Sequence, residues 1–274
     1  MQCKYFKQSK SKVRYPAIAQ RKLNGIRATV TRDDTGITVE TKSGNIIQTV
    51  AHLDIDLMAM LEPGDQIDGE IYKHEMTLNE IASLVSKIIF NSSEQKCDYI
   101  SRRETLQFHC FDLCKLETPF ILRYQILSKK INETDKIKIV QNFKLFSEND
   151  VYFFDETFVN AGYEGVVIRN IDGLYLPGKR SNDCQKYKDF LDNEYTIIGY
   201  KQAVGKDAGT VIFRCKTTDN QSFYVRMKGN LNYRKSISKI AYDLIGKNMT
   251  VRHYGFSQSG IPMYPTGIVI RDYE

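Results

Sequence analysis

The sequence lacks the features of a membrane-spanning or secreted protein. No apolar run approaches the roughly 20 residues that a membrane helix needs, and the polar, basic N-terminal segment MQCKYFKQSKSKVRY has no apolar core of a secretory signal. The six cysteines are scattered, and only Cys110 and Cys114 lie close together. Without a second pair, these two argue against a structural zinc site. We therefore expect a protein that is not secreted, has no membrane partner and keeps free thiols in a reducing compartment.

The charge is distributed unevenly along the 274 residues. Residues 190–274 carry 12 Lys and Arg against 7 Asp and Glu, a net charge of +5, whereas residues 1–189 carry 27 against 26, a net charge of +1. A basic C-terminal third favours a polyanionic partner, although a merely soluble basic surface is an equally simple interpretation. The length fits one large or two ordinary domains, and a hydrophobic content of 42% is sufficient for packed cores.

Capping patterns predict three helices in the first two thirds of the chain. A capping box at TLNE (77–80) precedes one helix, Thr118 and Pro119 supply the N-cap and first position of another, and a third begins at Ser147 and ends before Gly162. Between them, short runs that mix apolar and polar residues predict antiparallel strands. These runs are GITVET, QIDGEIY, LQFHCFDL, IKIVQNF and EGVVIRN.

After about Asp189 the pattern changes to short strands with turns between them and one helical stretch, YRKSISKIAYDLIG. With its basic charge, this region is typical of a small oligonucleotide-binding (OB) β-barrel. The predicted strands are TIIGYKQA, TVIFRCKT, SFYVRMK and MTVRHYGF. We therefore predict an α+β protein of two domains, with antiparallel sheets in residues 1–189 and an OB barrel in residues 190–274.

The run QRKLNGIR places Lys22 and Arg27 around the dipeptide Asn24-Gly25. Asn-Gly is a strong signal for a tight hairpin, so a plain turn is one interpretation. The other is a nucleophilic lysine held on a rigid loop. A lysine amine is almost wholly protonated at neutral pH, and neighbouring cations such as Arg27 would favour the neutral amine and bind a phosphate.

Several other residues could complete a phosphate site around this lysine. Lys186 and Lys188 are two residues apart, which would place them on one face of a strand. Glu70 and Glu164 could bind divalent metal or ribose hydroxyls, and Phe111 could stack on a base. Taken singly, such residues are more often core or solvated side chains, so the prediction depends on their order along the chain.

That order resembles a known enzyme superfamily. Lys-x-Asn-Gly-x-Arg is followed by Asp-Gly-Glu, Phe-Asp, Glu-Gly-Val-x-Ile-Arg, Lys-x-Lys and a C-terminal segment from Pro265 to Arg271. The pattern resembles the covalent nucleotidyltransferases, which comprise DNA ligases, RNA ligases and mRNA capping enzymes, and it looks most like a minimal ATP-dependent DNA ligase of viral or phage type. The resemblance covers nearly the whole chain, and five ordered motifs are highly specific.

The resemblance implies an adenylation site in the first domain. Lys22 would form the phosphoramidate to AMP, Glu70 would bind ribose, Phe111 would stack on adenine, and Glu164 would help hold the metal. Two further lysines, Lys186 and Lys188, would bind the α-phosphate.

The resemblance also implies contacts with DNA and with the leaving group. Arg27 would contact phosphate in the nucleotide site and at the nick, where Lys42 would join it, and Arg180 would lie near the nick. Arg271, on the barrel, would help orient pyrophosphate. Two positions depart from the family pattern: Lys42 stands where arginine is usual and so lacks the bidentate fork, and Asn24 stands where aspartate is common and so lacks its charge.

The implied reaction is the sealing of nicks in duplex DNA by a monomer, with ATP and Mg²⁺ or Mn²⁺. Lys22 would attack the α-phosphate of ATP, AMP would pass to the 5′-phosphate of the nick, and the 3′-hydroxyl would then displace AMP. We expect this activity in the cytoplasm or in a nuclear or viral replication compartment. Two alternatives stay open, namely an RNA ligase or capping-type enzyme and a non-catalytic module that binds nicks or single strands.

Overall fold

The computed structural model describes residues 1–86, 89–257 and 259–271. The chain forms two compact units, Met1–Lys188 and Asp189–Glu274. Among the described residues, no helix is both long and apolar enough to cross a membrane.

The first unit contains ten strands in the part of the chain that the structure describes. They are β1 (Gln2–Tyr5), β2 (Ala17–Lys22), β3 (Ile26–Arg32), β4 (Ile37–Thr41), β5 (Gln66–Tyr72), β6 (Gln107–Leu113), β7 (Ile137–Ile139), β8 (Phe143–Leu145), β9 (Gly165–Asn170) and β10 (Arg180–Tyr187). They form two five-stranded sheets, with orders β1-β10-β9-β2-β8 and β4-β3-β5-β6-β7. Most neighbours are antiparallel, as predicted, but β1 with β10 and β6 with β7 are parallel.

Two short segments carry the chain from one sheet to the other. β2 and β3 are separated by three residues, yet β2 pairs with β8 and β9 while β3 pairs with β4 and β5. The predicted single strand IKIVQNF is likewise divided into β7, which pairs with β6, and β8, which pairs with β2. A continuous β-prone run therefore contributes to both sheets, and this crossing is invisible to local propensity.

The helices of the first unit pack against strands of both sheets. They are α1 (Phe6–Ser9), α2 (Asp54–Met60), α3 (Leu78–Ser86), α4 (Ser93–Glu104), α5 (Phe120–Lys130) and α6 (Glu148–Asn160), with 3₁₀ turns at Lys10–Lys12 and Gln48–Leu53.

The capping predictions are mostly confirmed. The amide N–H of Glu80 donates to the Thr77 hydroxyl over 3.3 Å, and the amide N–H of Thr77 donates to the Glu80 carboxylate over 2.9 Å. Ser147 caps α6, and Gly162 follows that helix with a positive φ of 85°. The assignment of Thr118 as the N-cap of α5 is wrong by one residue, because the extended residue before the first helical turn is Pro119. α4 was not predicted; the Ser92 side chain caps it.

Each sheet of the first unit has its own hydrophobic core. The larger core lies against β3 to β7 and includes Val30, Leu57, Ile67 and Phe108. The other lies between α6 and the sheet that contains β2 and β9, and includes Val151, Phe158 and Ile168. Because the cores are separate, the two sheets can present polar side chains to each other.

The second unit is a closed five-stranded barrel, in the order β11-β12-β13-β15-β14. Its elements are β11 (Leu191–Gln202), a 3₁₀ turn (Gly205–Asp207), β12 (Val211–Lys216), β13 (Ser222–Met227), α7 (Leu231–Lys239), β14 (Asn248–His253) and β15 (Thr266–Ile270). The four predicted strands are present, the helix is shorter than predicted, and β15 is an additional strand that closes the barrel. Alternation along β12 and β13 buries Phe213, Cys215, Phe223 and Val225 in a common core.

Candidate active site

The loop that follows Lys22 is a crossing between sheets rather than a hairpin. The interpretation of Asn24-Gly25 as a hairpin turn is wrong, because β2 and β3 do not pair. Gly25 is required for a different reason: a Cβ atom there would lie 2.3 Å from the carbonyl oxygen of Ile71 on β5. The glycine therefore lets the loop pass directly over β5, the strand that carries Glu70.

Lys22 lies in a three-member ion cluster with Glu164 and Lys188. Its Nζ pairs with Oε2 of Glu164, and Nζ of Lys188 lies 3.2 Å from Oε1 of the same carboxylate. The backbone fixes this arrangement, since the amide N–H of Glu164 donates to the carbonyl oxygen of Lys22 over 2.9 Å. Burial alone would raise the pKa of Glu164, but the two ammonium groups outweigh it and hold that pKa below its usual value.

Glu70 is held by the same loop. Its Oε1 accepts a hydrogen bond of 2.7 Å from the amide N–H of Gly25. Burial raises the pKa of Glu70 to about 7, against the opposing influence of that hydrogen bond and of Lys22. A carboxyl group with such a pKa can donate a hydrogen bond when protonated and accept one when ionised.

Arg27 occupies an ion pair separate from that of Lys22. Its guanidinium group forms a bidentate pair with Asp68, with 2.9 Å between Nε and Oδ1. The hydroxyl of Tyr175 also donates to Asp68, over 2.8 Å. Burial would lower the pKa of Arg27, but the charge of Asp68 raises it. Arg27 is thus fixed by Asp68 of β5. Of the cations proposed as neighbours of Lys22, it is Lys188 that shares the carboxylate of Glu164 with it.

Phe111 lies where side chains of the two sheets of the first unit meet, and we call this region the cleft. It lies on β6, is partly buried and packs on the edge of the larger core. Its ring centroid is 5.8 Å from the guanidinium carbon of Arg27 and 5.4 Å from that of Arg169. The ring therefore contacts cations from both sheets.

A buried charge network that was not predicted lies directly behind Phe111. Asp112 accepts from Nε and Nη2 of Arg123 at 2.7 and 3.0 Å, and from Nη1 of Arg169 at 2.8 Å. Nε of Arg169 donates to Gln20 over 2.9 Å. The network therefore connects β6 and α5 with β9 and β2, the strand that ends at Lys22. Asp112 and Arg169 stand in the Phe-Asp and Glu-Gly-Val-x-Ile-Arg motifs, but no sequence pattern pointed to Arg123 or to a buried pairing of the three.

The remaining predicted residues are not among the ion-pair partners given above for Glu164. Lys186 is on β10 with its Nζ 4.8 Å from the ring centroid of Tyr5, so it and Lys188 have different partners. Lys42 is an exposed residue in the turn after β4, and Arg180 is the exposed first residue of β10. The second unit carries Arg271, whose Nε donates to Glu194 over 3.0 Å and to the Thr250 hydroxyl over 2.8 Å.

The chain is similar to DNA ligases in sequence. Residues 1–188 match the family model for the ATP dependent DNA ligase domain. Over 275 aligned positions the chain is 26% identical to the DNA ligase of African swine fever virus, covering 93% of this chain and 63% of that ligase. The chain therefore spans just under two thirds of the length of the curated relative.

Solved structures share the fold. A structure of the Lig E DNA ligases aligns with a TM-score of 0.79 at 22% identity, over 99% of this chain and 98% of that one. The ATP-dependent DNA ligase of bacteriophage T7, in complex with ATP, aligns with a TM-score of 0.58 at 14% identity, over 99% and 98%. Since the family model spans well over half of the sequence, the chain belongs to the ATP-dependent DNA ligase family.

Proposed function

We propose that the chain seals nicks in duplex DNA through a covalent Lys22–AMP intermediate formed from ATP. The observation that carries this proposal is the cluster in which one carboxylate, Glu164, is shared by the amines of Lys22 and Lys188. Two cations that converge on a single acid can bind a phosphate between them, and one of the two is then positioned as a nucleophile.

The first step requires the Lys22–Glu164 pair to open. Attack on the α-phosphate needs the neutral amine, turned away from Glu164 and towards phosphorus. Lys188 is bound to the other carboxylate oxygen, so Glu164 keeps a counter-charge when Lys22 is released. The new bond joins Nζ of Lys22 to phosphorus, the bond to the pyrophosphate oxygen breaks, and the proton of the amine leaves to solvent.

Glu70 and Phe111 hold the nucleoside in this proposal. The carboxyl group of Glu70 bonds to the ribose, and the ring of Phe111 stacks on the adenine base. Arg27 and Lys186 supply positive charge for the phosphates from opposite sheets. Because the Asp112 network joins these sheets, it fixes the distance between the base-stacking ring and the nucleophile.

The residues present fit Mg²⁺ or Mn²⁺ bound together with the nucleotide. Among the described residues no three His, Cys, Asp or Glu side chains form a metal cluster. Mg²⁺ is usually held by one or two carboxylates plus substrate phosphates, and Glu164 supplies one such carboxylate. When bound, the ion would neutralise charge on the phosphates.

In the later steps AMP passes to the 5′-phosphate of the nick, and the 3′-hydroxyl then attacks that phosphorus and releases AMP. We infer that the DNA phosphates bind to exposed cations, including Lys42 and Arg180 in the first unit. The excess of five positive charges in residues 190–274 supplies the rest of this attraction. In this proposal a single chain carries out all three steps.

The test is covalent labelling with ATP radiolabelled at the α-phosphate, followed by sealing of an end-labelled nicked duplex. We expect label on the unmodified chain and none on Lys22→Ala, whereas Lys129→Ala, at an exposed lysine of α5, should label normally. Label that persists on Lys22→Ala would move the nucleophile elsewhere. Labelling by GTP or sealing restricted to RNA nicks would favour a capping enzyme or an RNA ligase, and absence of label on the unmodified chain would favour a binding module.

A further inference from the structure

Two cysteines that are distant in sequence meet beside the candidate active site. Cys3 is on β1 and Cys184 is on β10, and their sulfur atoms lie 3.0 Å apart. The two strands are parallel neighbours, and the register shifts between Cys3 and Lys4, so that Cys184 lies in the irregular part of the ladder. The two sulfur atoms are thus about 1 Å further apart than in a disulfide bond, so a small movement would join them.

The surroundings of this pair favour a thiolate at Cys3. A hydrogen bond from Cys184 lowers the pKa of Cys3, and the charges of Arg169, Arg27 and Lys186 lower it further against the effect of burial. The pKa of Cys184 is raised by the same hydrogen bond and by burial. Cys3 is partly exposed, whereas Cys184 is only 2% exposed. One thiol thus belongs to a partly exposed residue and favours the thiolate, and the other is a buried thiol in contact with it.

The remaining cysteines of the chain lack this combination. Cys97 is exposed on α4, and Cys110 and Cys215 are buried. Cys114 has a hydroxyl neighbour, Tyr175, at 3.2 Å, and burial raises its pKa to about 12. Reactivity toward oxidants follows thiolate character together with access. We therefore expect Cys3, with Cys184 beside it, to differ in reactivity from the other four cysteines.

We propose that Cys3 and Cys184 form a modification site for hydroperoxides, at which the two thiols are oxidised to a reversible disulfide that fixes β1 to β10. The Cys3 thiolate attacks one peroxide oxygen, the O–O bond breaks, and the departing oxygen leaves as water after it takes up a proton. The resulting sulfenic acid is attacked by Cys184, whose proton leaves with the hydroxyl group as a second water. Two thiols lose two electrons in total, and one peroxide gains them.

The disulfide would act on the strand next to the proposed phosphate site. Cys184 and Lys186 are two residues apart on β10 and so lie on the same face of the sheet. Tyr5 of β1 contacts the amine of Lys186. A covalent link would therefore suppress separation of β1, which carries Tyr5, from β10. Reduction of the disulfide by a dithiol would allow this separation again. This inference does not depend on the ligase reaction.

The experiment treats the full chain with limiting hydrogen peroxide and maps its peptides by mass under non-reducing conditions. We expect the peptides that contain Cys3 and Cys184 to be joined, with the loss of two hydrogen atoms, before Cys97 reacts. Dithiothreitol should separate them. Amide hydrogen exchange in residues 2–5 should slow about tenfold or more on oxidation and recover on reduction.

Single serine variants make the assignment specific. Cys97→Ser is the matched control and should form the link as the unmodified chain does. Cys184→Ser should stop at a sulfenic acid on Cys3, which dimedone captures, and Cys3→Ser should leave Cys184 reduced. Failure of the unmodified chain to form the link, a link that involves Cys97, or oxidation of Cys184 in Cys3→Ser would each overturn the proposal.

Discussion

A buried charge network in the first unit and an exposed ion pair in the barrel differ sharply in their access to water. In the first unit Asp112 and Arg123 have fully buried side chains, and Arg169 is almost as inaccessible. In the barrel, the pair between Arg252 and Asp192 has comparable geometry, with distances of 2.6 and 2.8 Å, yet these side chains are 31% and 36% exposed.

This difference has a functional meaning. A buried pair is fixed, because either partner left alone would be a charge without solvation, so the first unit can hold Phe111 and Lys22 at a constant separation. An exposed pair exchanges with water and salt at little cost. The Arg252–Asp192 pair is thus open to solvent and salt, whereas the charges around Asp112 form a fixed scaffold.

The largest expected effect comes from removing the charge at the centre of the scaffold. Asp112→Asn keeps the size of the side chain but leaves two buried guanidinium groups without a counter-charge. We expect the free energy of unfolding of the first unit to fall by about 3–5 kcal/mol. Chemical denaturation, followed by probes specific to each unit, measures this value.

The matched change in the barrel is Asp192→Asn, which removes the partner of Arg252. Because that pair is solvent-accessible, the expected loss is about 0–1 kcal/mol. If the two substitutions destabilised their units equally, the contrast between scaffold and surface charge would be wrong.

The sequence reveals the residues of the cleft better than their connections. Lys22, Glu70, Phe111 and Glu164 could be proposed because their order follows a family pattern. That Glu164 bonds with Lys22 follows from strand pairing across 142 residues, which local patterns do not encode. Their roles stay predictions.

Three features of the fold were missed or misjudged for similar physical reasons. Asn24-Gly25 resembles a hairpin turn locally, but its flanking strands find partners in different sheets. Asp112, Arg123 and Arg169 look like ordinary charges, since burial of a polar group depends on tertiary contacts. β15 is short and becomes a strand by pairing with both β13 and β14, which closes the barrel.

The next prediction compares two phenylalanines of β6. Phe111 is partly buried and faces the cleft, whereas Phe108 is fully buried in the larger core. Phe111→Ala should weaken adenylation by about 1–3 kcal/mol through lost stacking. Phe108→Ala should instead cost about 3–5 kcal/mol of stability. Thermal melting and ATP titration of the labelling reaction, carried out on both variants, separate the two effects. A large drop in melting temperature with unchanged ATP dependence in Phe111→Ala would make it a core residue.

A prediction about pH concerns Glu70. The pKa of this carboxyl group rises from an ordinary 4.5 to about 7 on folding, so between these values the folded chain holds more protons than the unfolded chain. The free energy of unfolding should therefore fall as pH rises from 4.5 to 7, by roughly 1–3 kcal/mol in total. Glu70→Gln is neutral throughout and should remove this contribution.

Denaturation at several pH values checks this expectation. Glu94→Gln, at an exposed position of α4, is the control and should retain the slope of the unmodified chain. A Glu70→Gln variant with the same pH dependence as the unmodified chain would show that Glu70 is not desolvated in the cleft.

The last prediction concerns Arg271, whose pair with Glu194 is exposed on the barrel. If Arg271 orients pyrophosphate as the family resemblance implies, Arg271→Ala should slow self-adenylation about tenfold, or roughly 1.4 kcal/mol. Sealing of a nick that already carries AMP should hardly change, because no pyrophosphate is present in that step. Glu194→Ala removes the same ion pair but keeps the arginine, so it should leave both steps nearly unaffected. Single-turnover rates of the two steps distinguish the roles. Equal losses in both steps for Arg271→Ala, matched by Glu194→Ala, would make Arg271 a structural residue of the barrel.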